Sequence, residues 1–207
     1  MASITRVGMV LGLGLALGWA GFAVGAAGQE AAQPKPKVSD QALSAEQLAI
    51  YKLILKGWMD NGKHAVHLGI QTDPFPLDEL TGDQSCGKGL SLEAAQNVVH
   101  RFRAEDLARL GSSKIELVDV EKQAQEVREN DPEKSIRGGK SIAAAVSNGF
   151  AHGLVTVSEI RFDEKHEHAI VWYGFVCGSL CGNGGTVMLV KENGVWKRGQ
   201  NCSNWIS

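Results

Sequence analysis

Four cysteines and six histidines are the residues of this 207-residue chain whose types could do chemistry. Cys177 and Cys181 stand in Cys-Gly-Ser-Leu-Cys-Gly-Asn-Gly-Gly, between two β-patterned segments. Thiolate catalysis uses Cys-x-x-Cys at a helix N-terminus, which stabilises the anion, and this tetrad has neither feature. Zinc sites show two tight ligand pairs, whereas only one cysteine pair is close here. A disulfide framework of Cys86, Cys177, Cys181 and Cys202 is the reading that remains. Four cysteines allow three pairings. Cys177 with Cys181 and Cys86 with Cys202 is preferred, and cross-pairing of Cys202 with Cys177 or Cys181 stays open.

His64 and His67 fall near the start of a strand with opposite parity, so they face opposite sides and are poorly placed to share a metal. His166 and His168 share a face but lie in a charged turn, where solvated side chains are expected instead of an edge metal site. His100 and His152 are the candidate catalytic bases, although spacing fixes no nucleophile or carboxylate beside either. Gly138-Gly139-Lys140-Ser141 resembles the end of a phosphate loop, but the required first glycine falls at Lys134. Gly182-Asn183-Gly184-Gly185 sits in a hairpin and opens no helix, so a tight or bulged turn takes precedence over an anion-binding nest. Asn201-Cys202-Ser203 matches a glycosylation sequon, and its middle cysteine argues against use. No cofactor and no metal is implied.

These residues need elements to position them. Ser44 and Gln47 form a capping-box pattern, after which Leu48, Tyr51, Ile54 and Leu55 share one helical face as far as Gly57 and Asn61-Gly62. Val66, Leu68 and Ile70 alternate as a strand running into Pro74 and Pro76. Ser91 begins a second predicted helix through Val98, Val99 and Phe102, which carries His100. Ile115 and Leu117 mark a short strand before a polar stretch from Glu121 to Asn130. Asn130-Asp131-Pro132 opens a helix between Pro132 and Phe150.

From Leu154 onward the pattern is β. Ala169, Val171, Tyr173 and Phe175 alternate with Ile170, Trp172 and Val176, so that strand is apolar on both faces and central. Asn193-Gly194 is a two-residue hairpin turn. If its ladder stays regular, Gly185 lies opposite Cys202, which brings Cys202 beside Cys177 and Cys181. The expected fold class is α+β, with a C-terminal antiparallel β-meander of about four strands packed against N-terminal helices.

Met1 to Arg6, an apolar run from Val7 to Val24 and Val24-Gly25-Ala26 read as an export signal over residues 1–26, cleaved after Ala26 or alternatively Ala27. An uncleaved inner-membrane anchor is the alternative, since such a run is at the lower edge of the roughly 17–25 residues that span a bilayer. Residues 27–42, with Pro34-Lys35-Pro36-Lys37, read as a flexible linker. Residues 43–207 then form one globular domain. The formal net charge of −2 becomes −3 without Arg6. Dispersed lysines and arginines on such a chain argue against nucleic acid.

The run Phe175 to Gly184, followed by Lys191-Glu192-Asn193-Gly194-Val195-Trp196-Lys197 and Trp205-Ile206-Ser207, resembles a pattern in exported bacterial proteins that brings no assigned activity or catalytic residues. The final hairpin is similar to that of nuclear transport factor 2-like domains, which implies a cone-like architecture by analogy. The expected function is a secreted or periplasmic protein, non-catalytic and either binding or envelope-associated. Its partner would be an envelope protein or a small ligand, with no membrane insertion of the mature chain. The alternative is a small secreted hydrolase-like enzyme with His100 or His152 as base in a helix-sheet pocket.

Overall fold

The capping box at Ser44 forms as written: Ser44 N–H donates to Gln47 Oε1 at 2.8 Å, and Gln47 N–H donates to Ser44 Oγ at 3.1 Å. The computed structural model describes residues 35–61, 63–80, 87–94 and 96–207. The expected export signal and Cys86 lie outside the described residues. Along the chain the elements are β1 (Lys37–Val38), α1 (Ala45–Asn61), β2 (Val66–Gly69), β3 (Val98–Val99), α2 (Ala104–Leu110) and β4 (Ile115–Val118). There follow α3 (Val120–Glu129), α4 (Pro132–Arg137), α5 (Ile142–Ala151), β5 (Leu154–Val157), β6 (Arg161–Phe162), β7 (His168–Gly178), β8 (Cys181–Glu192) and β9 (Val195–Ile206).

The protein is α+β, and its main sheet has the order β4-β2-β5-β7-β8-β9, with β6 pairing to β7. Strands β5 to β9 form the expected antiparallel meander, and β2 extends it by running parallel to both β5 and β4. Strand β7 is buried on both faces. Ala169, Val171 and Phe175 join the principal core with Leu48, Tyr51, Ile54 and Leu55 of α1, whereas Ile170 packs on the other face with Phe75. Leu90, Leu92, Trp172, Met188 and Cys202 complete that second cluster. Lys35 to Ser207 form one compact unit.

Several local expectations are corrected. Helix α1 runs through Gly57, the earlier of its two expected stop signals, because buried Leu55 and Met59 anchor it on either side, and it ends at the later one, Asn61. The helix expected from Ser91 is not formed. Val98–Val99 pairs in parallel with Lys37–Val38, Leu92 bridges Asp163, and His100 lies in extended chain after β3. Sheet-edge partners there satisfy the backbone that a helix would otherwise bond internally. The first pairing also draws the end of the expected linker onto the domain. The polar stretch after β4 is helix α3, capped by Asp119, whose side chain accepts from Lys122 N–H at 3.0 Å. Buried Gln123 and Val127 give it an inward face. Between Pro132 and Phe150 there are two helices, separated where Gly139 takes a φ of 92°.

Asn193 and Gly194, at φ 52° and 79°, make the predicted hairpin turn. Pairing is regular from Glu192↔Val195 to Leu189↔Arg198, and then shifts twice, so that Gly185 faces Asn204 and not Cys202. Cys177 and Cys181 form the preferred disulfide, with Cα atoms 5.0 Å apart. Cys202 is disulfide-bonded too, and its preferred partner Cys86 lies outside the described residues. The expected three-cysteine neighbourhood does not form: Cys177 and Cys181 pack with the principal core, and Cys202 packs with the second cluster. The two bulges in the β8–β9 ladder are what re-aim it.

His166 ties three segments together. Its Nδ1 lies 3.3 Å from Glu46 Oε2 at the start of α1, and its Nε2 lies 2.9 Å from Glu93 Oε1. The ring stacks on Phe162 with centroids 4.6 Å apart. Glu46 also accepts from Lys191 Nζ and Trp196 Nε1, while Arg161 donates to the Glu93 carbonyl. Burial opposes a charge on His166, but its hydrogen bonds to Glu93 and Glu46 outweigh that and raise its pKa above the ordinary 6.5.

The helix and this tie can each be tested by substitution. Ser44→Ala is expected to lower stability by about 1 kcal/mol. Gly57→Ala is expected to raise it by about 0.4–1 kcal/mol, since an added methyl meets no atom within 4 Å; urea midpoints check both. The His166 contribution is fully present below pH 6.5 and is lost as pH rises through its raised folded value. His166→Asn, which keeps a residue tolerant of φ 53°, should therefore shrink the stability difference between about pH 5.5 and about pH 8.5. An unchanged difference would contradict the tie.

Candidate functional site

The chain brings residues from six places around one cavity of about 450 Å³. Helix α1 contributes Gly57 and Trp58, and the following turn contributes Lys63, His64 and Ala65. Strand β2 supplies Val66 and His67, α5 supplies Ser147 and Phe150, and Gly153, Val155 and Phe175 close the sheet side. Its inner wall is apolar because Val66, Val155 and Phe175 are also core residues. Trp58 and Phe175 meet with ring centroids 6.3 Å apart, and Phe150 lies 5.3 Å from Phe175.

Gly153 sets the position of that wall. A Cβ there would fall 2.3 Å from Phe175 Cε2, so the ring occupies the space a side chain would need. Polar groups gather at the side of the cavity. Ser147 Oγ lies 3.4 Å from His64 Nε2, at the long limit of a hydrogen bond. Gln123 Nε2 donates to the His152 carbonyl at 2.7 Å and lies 3.2 Å from His67 Nδ1. His67 Nδ1 also lies 3.2 Å from the Gly153 carbonyl, and its Nε2 lies 3.8 Å from Glu116 Oε2. Among the described residues no carboxylate lines the cavity.

Both expected bases lie elsewhere than in this lining. His100 Nδ1 is 2.9 Å from Glu159 Oε2, and His100 N–H donates to Glu159 Oε1 at 2.7 Å. Thr72 Oγ1 donates to Glu159, and the His100 N–H also reaches Thr72 Oγ1 at 2.8 Å. This carboxylate satisfies donors from two separate segments, and so works as an internal clamp. His152 caps α5, with Nδ1 2.9 Å from the Asn148 carbonyl. Neither histidine lines the cavity described above. His166 and His168, expected as solvated turn side chains, instead each hold carboxylates: His168 Nδ1 lies 3.1 Å from Asp163 Oδ2, and His166 meets Glu46 and Glu93. Among the described residues no group of three or more His, Cys, Asp or Glu is placed to hold a metal ion.

A second, wider groove of about 840 Å³ runs between α1 and the β8–β9 turn. Along its walls Lys191 pairs with Glu46 at 2.6 Å, and Lys114 Nζ donates to the Met59 carbonyl at 3.0 Å. The residues of the smaller cavity were not legible as a set, because they come from segments up to 118 positions apart, from Gly57 to Phe175. The one signal available was the His64–His67 pair, read there only for metal.

Removing the Glu159 carboxylate takes away the acceptor that the buried Thr72 hydroxyl, the His100 N–H and the His100 ring share, and leaves only the contacts of Thr72 Oγ1 with the His100 carbonyl at 3.1 Å and of the His100 N–H with Thr72 Oγ1 at 2.8 Å. Glu159→Ala is expected to cost about 1–3 kcal/mol, and Glu159→Gln, which retains an oxygen acceptor, less; thermal and urea denaturation measure the difference. Equal losses from the two substitutions would mean that charge, and not acceptor geometry, holds the clamp.

Among the described residues no helix is long and apolar enough to cross a membrane. No protein-family model, curated protein or solved structure matches the chain.

Proposed function

We propose that the folded domain is an exported, non-catalytic binding protein whose ligand is a small molecule with an apolar body. The observation that carries this reading is the cavity of about 450 Å³ walled by Trp58, Val66, Phe150, Val155 and Phe175, with a few polar groups on one side. Small-molecule sites fall in the range of about 300–1,000 Å³ and combine apolar walls with a small number of orienting polar groups. Two of the rings offer faces and edges on which a flat apolar group packs well, since Phe150 is partly exposed and Phe175 is held by the core. Export is supported by the N-terminal apolar run of the sequence, and by cysteines that are oxidised wherever the structure describes them.

An enzymatic reading draws on one contact, that of Ser147 Oγ with His64 Nε2. A serine nucleophile needs a base within close hydrogen-bond reach and a third group orienting that base. The 3.4 Å separation is long for this role, and Ser147 lies mid-helix on the exposed side of α5. Binding is therefore the stronger reading.

The test is fluorescence titration of the purified protein with N-phenyl-1-naphthylamine, a neutral apolar fluorophore. Saturable enhancement at one site is expected, weakened about tenfold in Phe150→Ala, a loss on the scale of removing a packed aromatic wall. Phe150 is 44% exposed, so the substitution should leave the fold intact. Enhancement that never saturates, or that Phe150→Ala leaves untouched, would sink the reading. Hydrolysis of p-nitrophenyl butyrate that disappears in Ser147→Ala would replace it with the enzymatic one.

A further inference from the structure

The polar side of the cavity has a consistent chemical character. Lys63, His64 and Ser147 line it, and each carries an N–H or O–H that can be donated; among the described residues the lining has no acidic side chain to offer. His67 differs, because its ring is held between Gln123, Gly153 and Glu116 and belongs to the scaffold. Three donors, one of them an ammonium, therefore share the lining with the rings of Trp58, Phe150 and Phe175. Lys63 and Ser147 lie on exposed chain and His64 is half-buried, whereas Val155 and Phe175 are buried. The cavity thus runs from a wet, donor-rich rim to a dry aromatic floor.

We infer that this cavity, taken as the ligand pocket proposed above, receives a small aromatic carboxylate whose ring lies against Trp58, Phe150 and Phe175 and whose carboxylate meets Lys63, His64 and Ser147. The charge distribution excludes the two neighbouring classes. A cationic amphiphile would bring its ammonium to Lys63 with no carboxylate in the lining to receive it. A neutral alcohol would fill the apolar floor and yet leave Lys63 without a counter-charge. A carboxylate supplies acceptors to all three donors, and hydrogen bonds to an ionised group are roughly twice as strong as neutral ones. The contact between Ser147 and His64, already at the long limit, would open to admit an oxygen between them.

Calorimetric titration of the purified protein at low salt with 4-phenylbutyrate, 4-phenylbutan-1-ol and 4-phenylbutylamine tests the assignment. The carboxylate should bind about tenfold more tightly than the alcohol, and the amine should bind more weakly than either. The double substitution Lys63→Met with His64→Gln should weaken the carboxylate about tenfold and the alcohol distinctly less, so that the gap between the two closes. Phe150→Ala should weaken both. Equal binding of carboxylate and alcohol, or tightest binding of the amine, overturns the carboxylate assignment and leaves the apolar pocket standing. Failure of all three overturns it as well, and the neutral fluorophore titration then decides whether the pocket reading falls with it. A double variant that weakens the alcohol as much as the carboxylate shows that the two side chains hold the rim together without reading charge, which also overturns the assignment.

Discussion

Burial of β7 on both faces is the constraint from which the rest of the architecture follows. Ala169, Val171 and Phe175 point one way and Ile170 the other, so a single covering layer leaves half of the strand's apolar surface in water. At roughly 25 cal/mol per Å² of apolar area, that exposure is a large loss for a marginally stable domain. Helix α1 covers the first face, with Tyr51 fully buried and its hydroxyl bonded to the Ser158 carbonyl at 3.0 Å. The second face is covered by chain that is mostly non-helical, with Phe75, Leu90 and Leu92 against Ile170, Trp172 and Met188. Cys202 belongs to that layer. It therefore sits on the face whose described cover is mostly non-helical, whereas the Cys177–Cys181 bond packs with the face that α1 covers.

The cavity arises where the first covering layer is divided. Helix α1 ends at Asn61, and the sheet continues beyond it to Phe175 and Val155, where α5 takes over. Two helices meeting over one sheet leave a seam, and here the seam is floored by core residues. Gly153 keeps it open in a defined shape, because the Phe175 ring rests where a side chain at 153 would stand. The apolar floor and the α5 wall of the pocket therefore rest on sheet and helix, which is the arrangement that holds a binding site in place.

What the sequence displayed were features decided by near neighbours. The Ser44–Gln47 box, the Asn193-Gly194 turn, the two-sided β7 pattern and the short Cys177–Cys181 bridge each depend on residues a few positions apart. The helix expected from Ser91 failed for the opposite reason. Val98, Val99 and Phe102 do have helical spacing, but Val98–Val99 pairs with Lys37–Val38, and Phe102 N–H donates to the Ile70 carbonyl at 2.9 Å. Such partners are invisible to local periodicity. Helix α3 was missed because its polar surface hides an inward face of only Gln123 and Val127. His100 looked catalytic in isolation, and its carboxylate partner, Glu159, comes from 59 positions away.

The cysteine tetrad takes its meaning from what its turn holds. Ser179 N–H donates to Asp131 Oδ2 at 2.9 Å and Ser179 Oγ to Glu133 Oε2 at 3.0 Å, so the closed turn grips the start of α4. Burial works against the charge on Asp131, but the bonds from Ser179, Glu133 and Lys134 outweigh it and hold its pKa below the ordinary carboxylate value. An ionised Asp131 at the cap of α4 is thus built into the native state at neutral pH. From the same turn, the Cys177 carbonyl comes within 2.9 Å of where a Cβ on Gly149 would lie, and Pro132 crowds that position to 2.6 Å. Only glycine lets α5 approach so closely. Phe150 is the next residue, and Ser147 lies two before Gly149, so the turn that the disulfide closes also fixes how the aromatic wall and one rim donor face the cavity. A motif whose spacing suggests reactive thiols acts here as the bracket that places α5 over the sheet.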